Sequence, residues 1–165
     1  MGPRDRPEQP AAGPFCRPRR RTTVTAMTVD DASLMLAGIL LLSLIAVESG
    51  GFLLRKIVLG KVAANDLQRS FFRAGHAHAG VLLILGLVIP LYLDAAQVEG
   101  LIGAFARSAV PAAAIIMPAG FFLSVIGREP ERPNRLGLLI PVGGIVLGLG
   151  LLAAAVSLIA RVAAS

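Results

Sequence analysis

The sequence predicts an all-α polytopic membrane protein whose four transmembrane helices form an up-down bundle. Three observations carry that prediction: four long apolar runs, a low charge content, and basic residues gathered in alternate connections. Of 165 residues, 55% are hydrophobic and 16% charged, against about 25% charged in an ordinary soluble domain. The mean hydropathy is +0.75. A water-soluble fold of this length has no means of hiding so much apolar surface, whereas a lipid solvent removes the need. The length suits one helical unit, residues 32–161, with no second soluble domain.

Residues 1–31 form a separate compositional zone. The first 21 residues hold five Pro and six Arg with few large apolar side chains, a composition that favours disorder. Arg19-Arg20-Arg21 is not a twin-arginine export signal, because the next apolar run is long enough to stay in the membrane. Met27 stands just before Asp30-Asp31, which are suited to cap a helix. Two readings of residues 1–26 therefore stay open, a disordered tail and an over-extended gene start. Cys16 is the one cysteine, so neither an intramolecular disulfide nor a cysteine metal cluster is available.

The apolar runs cover residues 33–54, 74–93, 108–126 and 136–160, and the second helix is placed over about 71–93. About 20 residues of helix cross the roughly 30 Å hydrocarbon core, so each run is long enough. Helix is required because an open sheet would leave backbone groups unpaired in lipid. Pro90, Pro111, Pro118 and Pro141 fall inside the runs and predict kinks, which a membrane tolerates. Gly144-x-x-x-Gly148 and Gly75-x-x-x-Ala79 are small-residue spacings that let helices approach closely.

Lys and Arg set orientation. Connections 55–73 and 127–135 hold eight basic residues: Arg55, Lys56, Lys61, Arg69, Arg73, Arg128, Arg132 and Arg135. Connection 94–107 holds only Arg107, beside Asp94 and Glu99. This places the two basic connections in the cytoplasm and both termini outside a plasma membrane. The formal charge of +6 then reflects topology and contact with anionic headgroups, and nucleic acid is not an expected partner. The expected partners are the bilayer and either further copies of the chain or a larger membrane complex.

An ionisable residue inside the bilayer is costly and marks a candidate site. Glu48, Arg73, His76 and His78 lie at similar depth, within roughly two helical turns of the basic side. His76 continues a polar stripe, Asp66–Arg69–Arg73–His76, at spacings of three and four, which predicts that the second helix starts early, near Asn65. His76 and His78 are two apart and point about 200° from each other, so they do not readily chelate one ion together. Either Glu48, Arg73 and the histidines hydrogen-bond across helices and fix the bundle, or Glu48 joins one histidine in a proton-transfer, metal or haem site. A third possibility is that Glu48, just before Gly50-Gly51, meets Arg55 or Lys56 where the helix ends.

The stretch from Phe71 to Leu82 contains Gly75-His76-Ala77-His78-Ala79-Gly80. It resembles a motif of small four-helix bacterial membrane proteins, a resemblance that covers most of residues 30–160 and brings no activity with it. The His-x-His pair is also similar to that on one helix of the main subunit of haem-copper oxidases. There the two histidines ligate two haems on opposite faces. That similarity implies His76 and His78 as haem ligands; the depth argument separately makes His76, His78 and Glu48 the candidate metal ligands. Two histidines are all the chain has, so a haem would need a non-histidine ligand, a second copy or a partner subunit, and a zinc site would have three ligands at most.

Soluble-enzyme motifs are absent: there is no P-loop, no dinucleotide fingerprint after a strand and no Ser/His/Asp set. The leading expectation is a non-enzymatic membrane component or accessory subunit without a cofactor. The alternative is a redox or proton-handling protein with haem or a transition metal on the histidines. Small-solute transport is weaker, because there is no clear internal repeat and no polar lining through the outer half of the bundle.

Overall fold

The computed structural model describes Gly2 and residues 29–164. The expected tail, including Cys16 and the Met27 start, otherwise lies outside the described residues. The described chain forms four long helices: α1 Asp31–Val58, α2 Asp66–Ala95, α3 Gly100–Leu123 and α4 Leu139–Ala163, the last preceded by a 3-10 turn, Arg135–Leu138. Among the described residues there is no strand. All four helices are long and apolar enough to cross a membrane.

The boundaries differ from the apolar runs in instructive ways. α1 does not end at Gly50-Gly51 but continues to Val58, with Arg55 and Lys56 in its last turn, where cations complement the helix dipole. In lipid the backbone gains by staying helical, so a glycine pair is no stop signal. α2 starts at Asp66, where the polar stripe points and ahead of the 71–93 placement from the apolar run. Asn65 accepts from the Gln68 amide at 2.9 Å, and Gln68 Oε1 accepts from the Asn65 amide at 3.2 Å. This reciprocal capping box satisfies two otherwise orphaned donors. α3 begins at Gly100, eight residues ahead of the apolar run, and carries Arg107 inside the helix. Pro90, Pro111 and Pro118 are all built into helices, while Pro141 falls in the first turn of α4, where no intrahelical N–H bond is lost.

Helices pack chiefly in chain order: α1 on α2, α2 on α3, and α3 on α4, with a smaller α2–α4 contact. α3 is therefore the inner helix. Within the most apolar stretch of each helix, 44% of residues are buried in α3, against 11% in α1 and 17% in α4. Leu42, Ile45, Ile145 and Leu152 on those outer helices are exposed, as lipid-facing side chains must be. One apolar cluster joins Leu40, Leu82, Leu83, Ala114 and Met117, and a second joins Leu93, Val98, Ala106 and Ala154.

Small residues set the helix spacing, but not all those the motifs suggested. A Cβ on Gly75 would come within 2.9 Å of Phe121 Cβ, and Ala79 is buried, so the Gly75/Ala79 pair does face α3. On α4 the tight positions are Gly143 and Gly150. A Cβ there would meet the Met117 backbone nitrogen at 2.9 Å and the Ala109 Cβ at 2.7 Å. Gly148 has nothing within 4 Å and Gly144 only the tip of Met117 at 3.7 Å. The seam thus follows a two-turn spacing rather than Gly144-x-x-x-Gly148. Gly143→Ala and Gly150→Ala should each lower the detergent melting temperature through overpacking of about 1–3 kcal/mol. Gly148→Ala should leave it unchanged or slightly raise it.

Candidate functional site

The four residues singled out by depth fall into different environments. Glu48 and Arg73 are exposed, and neither has a hydrogen-bond or ion-pair partner among the described residues. The helix does not end at Glu48, and no ion pair with Arg55 or Lys56 forms. His76 is half-buried and turns toward α1. Its ring lies 3.7 Å from the position a Cβ would take on Gly50 and, likewise, on Gly51. The glycine pair thus forms a shallow notch in α1 that accommodates an imidazole from α2.

His78 turns the other way, as the two-residue spacing requires. Its Nδ1–H donates to the Ala74 carbonyl one turn earlier, at 2.8 Å. Its ring stacks on Phe121 of α3, with centroids 5.0 Å apart and planes inclined by 28°. Phe71 meets the edge of Phe121 at 5.7 Å, and Phe72 stacks on Phe122 at 5.8 Å. With Nδ1 committed to that carbonyl, Nε2 is the ring nitrogen left without a partner among the described residues. His78 is exposed, so that nitrogen is accessible from outside the bundle. The structure therefore separates the histidines onto opposite sides of α2. No group of three His, Cys, Asp or Glu suited to hold a metal ion occurs among the described residues.

The end opposite the basic connections contains a polar centre that the sequence reading passed over. Asp94, at the last turn of α2, has a side chain only 2% exposed and pairs with Arg107 of α3 at 2.9 Å. The same carboxylate accepts from Arg107 Nε at 3.0 Å and from the Asp30 backbone N–H at 3.3 Å, and the Ser33 hydroxyl lies against it. Arg107 also donates to the Val98 carbonyl at 2.7 Å. One ion pair therefore ties together the start of α1, the end of α2, the short α2–α3 connection and α3. A cleft of about 600 Å³, rimmed by Asp30, Asp31, Glu99 and Gln97, opens above it. Arg161 of α4 closes the same end by donating to the Ala96 carbonyl at 3.0 Å. The signal was present in the sequence: two opposite charges thirteen residues apart, each at the edge of an apolar run.

Comparison with protein-family models, with curated proteins and with solved structures gave no significant match.

The Asp94–Arg107 geometry makes a specific prediction. Removing one member strands the other's buried hydrogen-bonding capacity, so Asp94→Ala and Arg107→Ala should each cost roughly 1–3 kcal/mol, with Arg107's partial exposure holding the value below that of a fully buried pair. The double variant should cost less than the sum of the two, which a thermal-denaturation mutant cycle would read as coupling.

Proposed function

We propose that this chain is a non-enzymatic component of a bacterial plasma membrane, an accessory or oligomerising subunit whose intramembrane polar residues hold its helices in register. Both termini lie outside, and the two basic connections face the cytoplasm. The single observation that supports the reading most is the seating of His76 against Gly50-Gly51. A polar ring at membrane depth is spent on helix contact, in a notch whose two glycines leave room for it. Glu48 and Arg73, which lack partners among the described residues, remain available to groups on a neighbouring subunit. The Gly-His-Ala-His-Ala-Gly resemblance, which brings four helices and no activity, agrees with this.

The test is a size series at the notch. A methyl at Gly51 would sit at ordinary contact distance from the ring, so Gly51→Ala should be nearly neutral. Gly51→Leu should displace His76 and lower thermal stability by about 1–3 kcal/mol. His76→Ala should weaken the bundle to a similar degree. Equal stability across wild type, Gly51→Leu and His76→Ala would remove the helix-register role.

A second reading is favoured by one observation, the free Nε2 of His78. Ligating histidines commonly anchor the other ring nitrogen on a carbonyl, and His78 is held in that way. A haem or transition metal on this nitrogen needs ligands from a second copy or a partner subunit. Protein purified from its native membrane should then show a Soret band or stoichiometric metal. That signal should vanish in His78→Ala and persist in His76→Ala. A colourless, metal-free preparation from the native membrane would exclude this second reading.

A further inference from the structure

At the basic end, connection 59–65 and the start of connection 124–134 enclose a cleft of about 500 Å³. Its walls are cross-linked. Asn65 Nδ2 donates to the Pro130 carbonyl at 2.8 Å, and the buried Gln68 donates from Nε2 to the carbonyls of Val125 and Gly127, each at 3.1 Å. Asn65 and Gln68 are also the two members of the α2 capping box. The residues that start α2 therefore also hold the two connections together, and the cleft is preformed.

Two arginines line it, Arg69 and Arg128. Arg69 spends its Nε on the Ala64 carbonyl at 3.0 Å, which fixes the guanidinium at the rim and leaves its terminal nitrogens for another acceptor. Arg128 is exposed and makes no hydrogen bond or ion pair among the described residues. Glu129 lines the same cleft, and Val62 and Ala63 supply an apolar wall. Beyond the rim, Lys61 adds positive charge, while Asp66 stands at the first position of α2.

We infer that this cleft binds the headgroup of an anionic phospholipid whose phosphodiester meets Arg69 and Arg128 and whose headgroup hydroxyls donate to Glu129. Three features select that ligand. Two uncommitted guanidinium edges match phosphate oxygens. The volume lies within the range of small-molecule sites, roughly 300–1,000 Å³, and far exceeds what a bare phosphate would fill. The cleft also lies at the ends of membrane-spanning helices, where a headgroup is already concentrated and its acyl chains can stay in the bilayer. Glu129 disfavours a headgroup that presents only phosphate and favours one with hydroxyl donors, such as phosphatidylglycerol. The inference rests on the chain spanning a bilayer, but not on any role for the histidines.

The test uses the full chain in nanodiscs of phosphatidylcholine with graded phosphatidylglycerol, with retained lipid counted by native mass spectrometry. One tightly held phosphatidylglycerol per chain is expected. Arg69→Gln/Arg128→Gln should weaken retention about 30-fold, on the order of 5-fold per arginine at a membrane surface. Glu129→Gln should narrow the preference for phosphatidylglycerol over an anionic lipid that lacks headgroup hydroxyls. Arg132→Gln/Arg135→Gln, basic changes outside the cleft, should leave retention unchanged. Melting temperatures of all variants show whether each remains folded, and single Arg69→Lys and Arg128→Lys variants keep the charge if the double variant does not fold. Equal retention in the Arg69/Arg128 variants, or equal loss in the Arg132/Arg135 variant, would overturn the inference. Displacement of the lipid by inorganic phosphate alone would reassign the cleft to a free anion.

Discussion

Everything in this fold depends on how closely other helices can approach α3. Inside a bilayer, lipid tails are as apolar as leucine, so no hydrophobic force drives helix against helix. Association has to come from contact distance and from polar groups. α3 is suited to the first: Gly103, Ala106, Ala109, Ala113, Ala114 and Gly120 are all buried along it. α2 meets it through Gly75 and Ala79, and α4 through Gly143 and Gly150. α1 lacks such a seam with α3 and stays largely lipid-exposed. That is why its polar attachments, His76 in the Gly50-Gly51 notch and the Asp30 N–H and Ser33 hydroxyl on Asp94, carry disproportionate weight for its placement.

The polar groups gather at the two ends of the bundle and do different work there. At the far end Asp94 and Arg107 satisfy each other and close the α2–α3 hairpin. At the basic end the capping box of α2 also bridges the two connections, and the terminal nitrogens of Arg69 and the guanidinium of Arg128 have no partner among the described residues. The middle of the bundle is apolar contact alone, with Leu40, Leu82, Leu83 and Met117 at its centre. A protein arranged in this way offers its polar chemistry at the two ends of the bundle.

Much of this was legible in the sequence, and the remainder was hidden for identifiable reasons. Four runs of sufficient length gave four helices, because lipid leaves the backbone no alternative. The polar stripe through Asp66, Arg69, Arg73 and His76 located the start of α2. The spacing of the histidines required opposite faces, and they do face α1 and α3. What could not be read was which face of a helix apolar on all sides meets its neighbour, so the Gly144/Gly148 spacing was visible while the true Gly143/Gly150 seam was not. Charge at the edge of an apolar run looks like solvated interface, so Asp94 and Arg107 passed as loop residues although they pair across a buried contact. Basic residues end an apolar run without ending the helix, so α1 continues through Arg55 and Lys56 to Val58, beyond the run that stops at Leu54. That Glu48 finds no partner among the described residues has no sequence signature at all.

The central claim is that the basic connections and the Asp94 end lie on opposite faces of a membrane. Single cysteines at Glu99 and Arg132, each in a Cys16→Ser background, can be probed with a membrane-impermeant maleimide in sealed cells and in inverted vesicles. Four crossings require that the two positions label from opposite sides, one reacting in intact cells and the other only in inverted vesicles. Labelling of both from the same side would contradict the arrangement of helices on which the whole account rests.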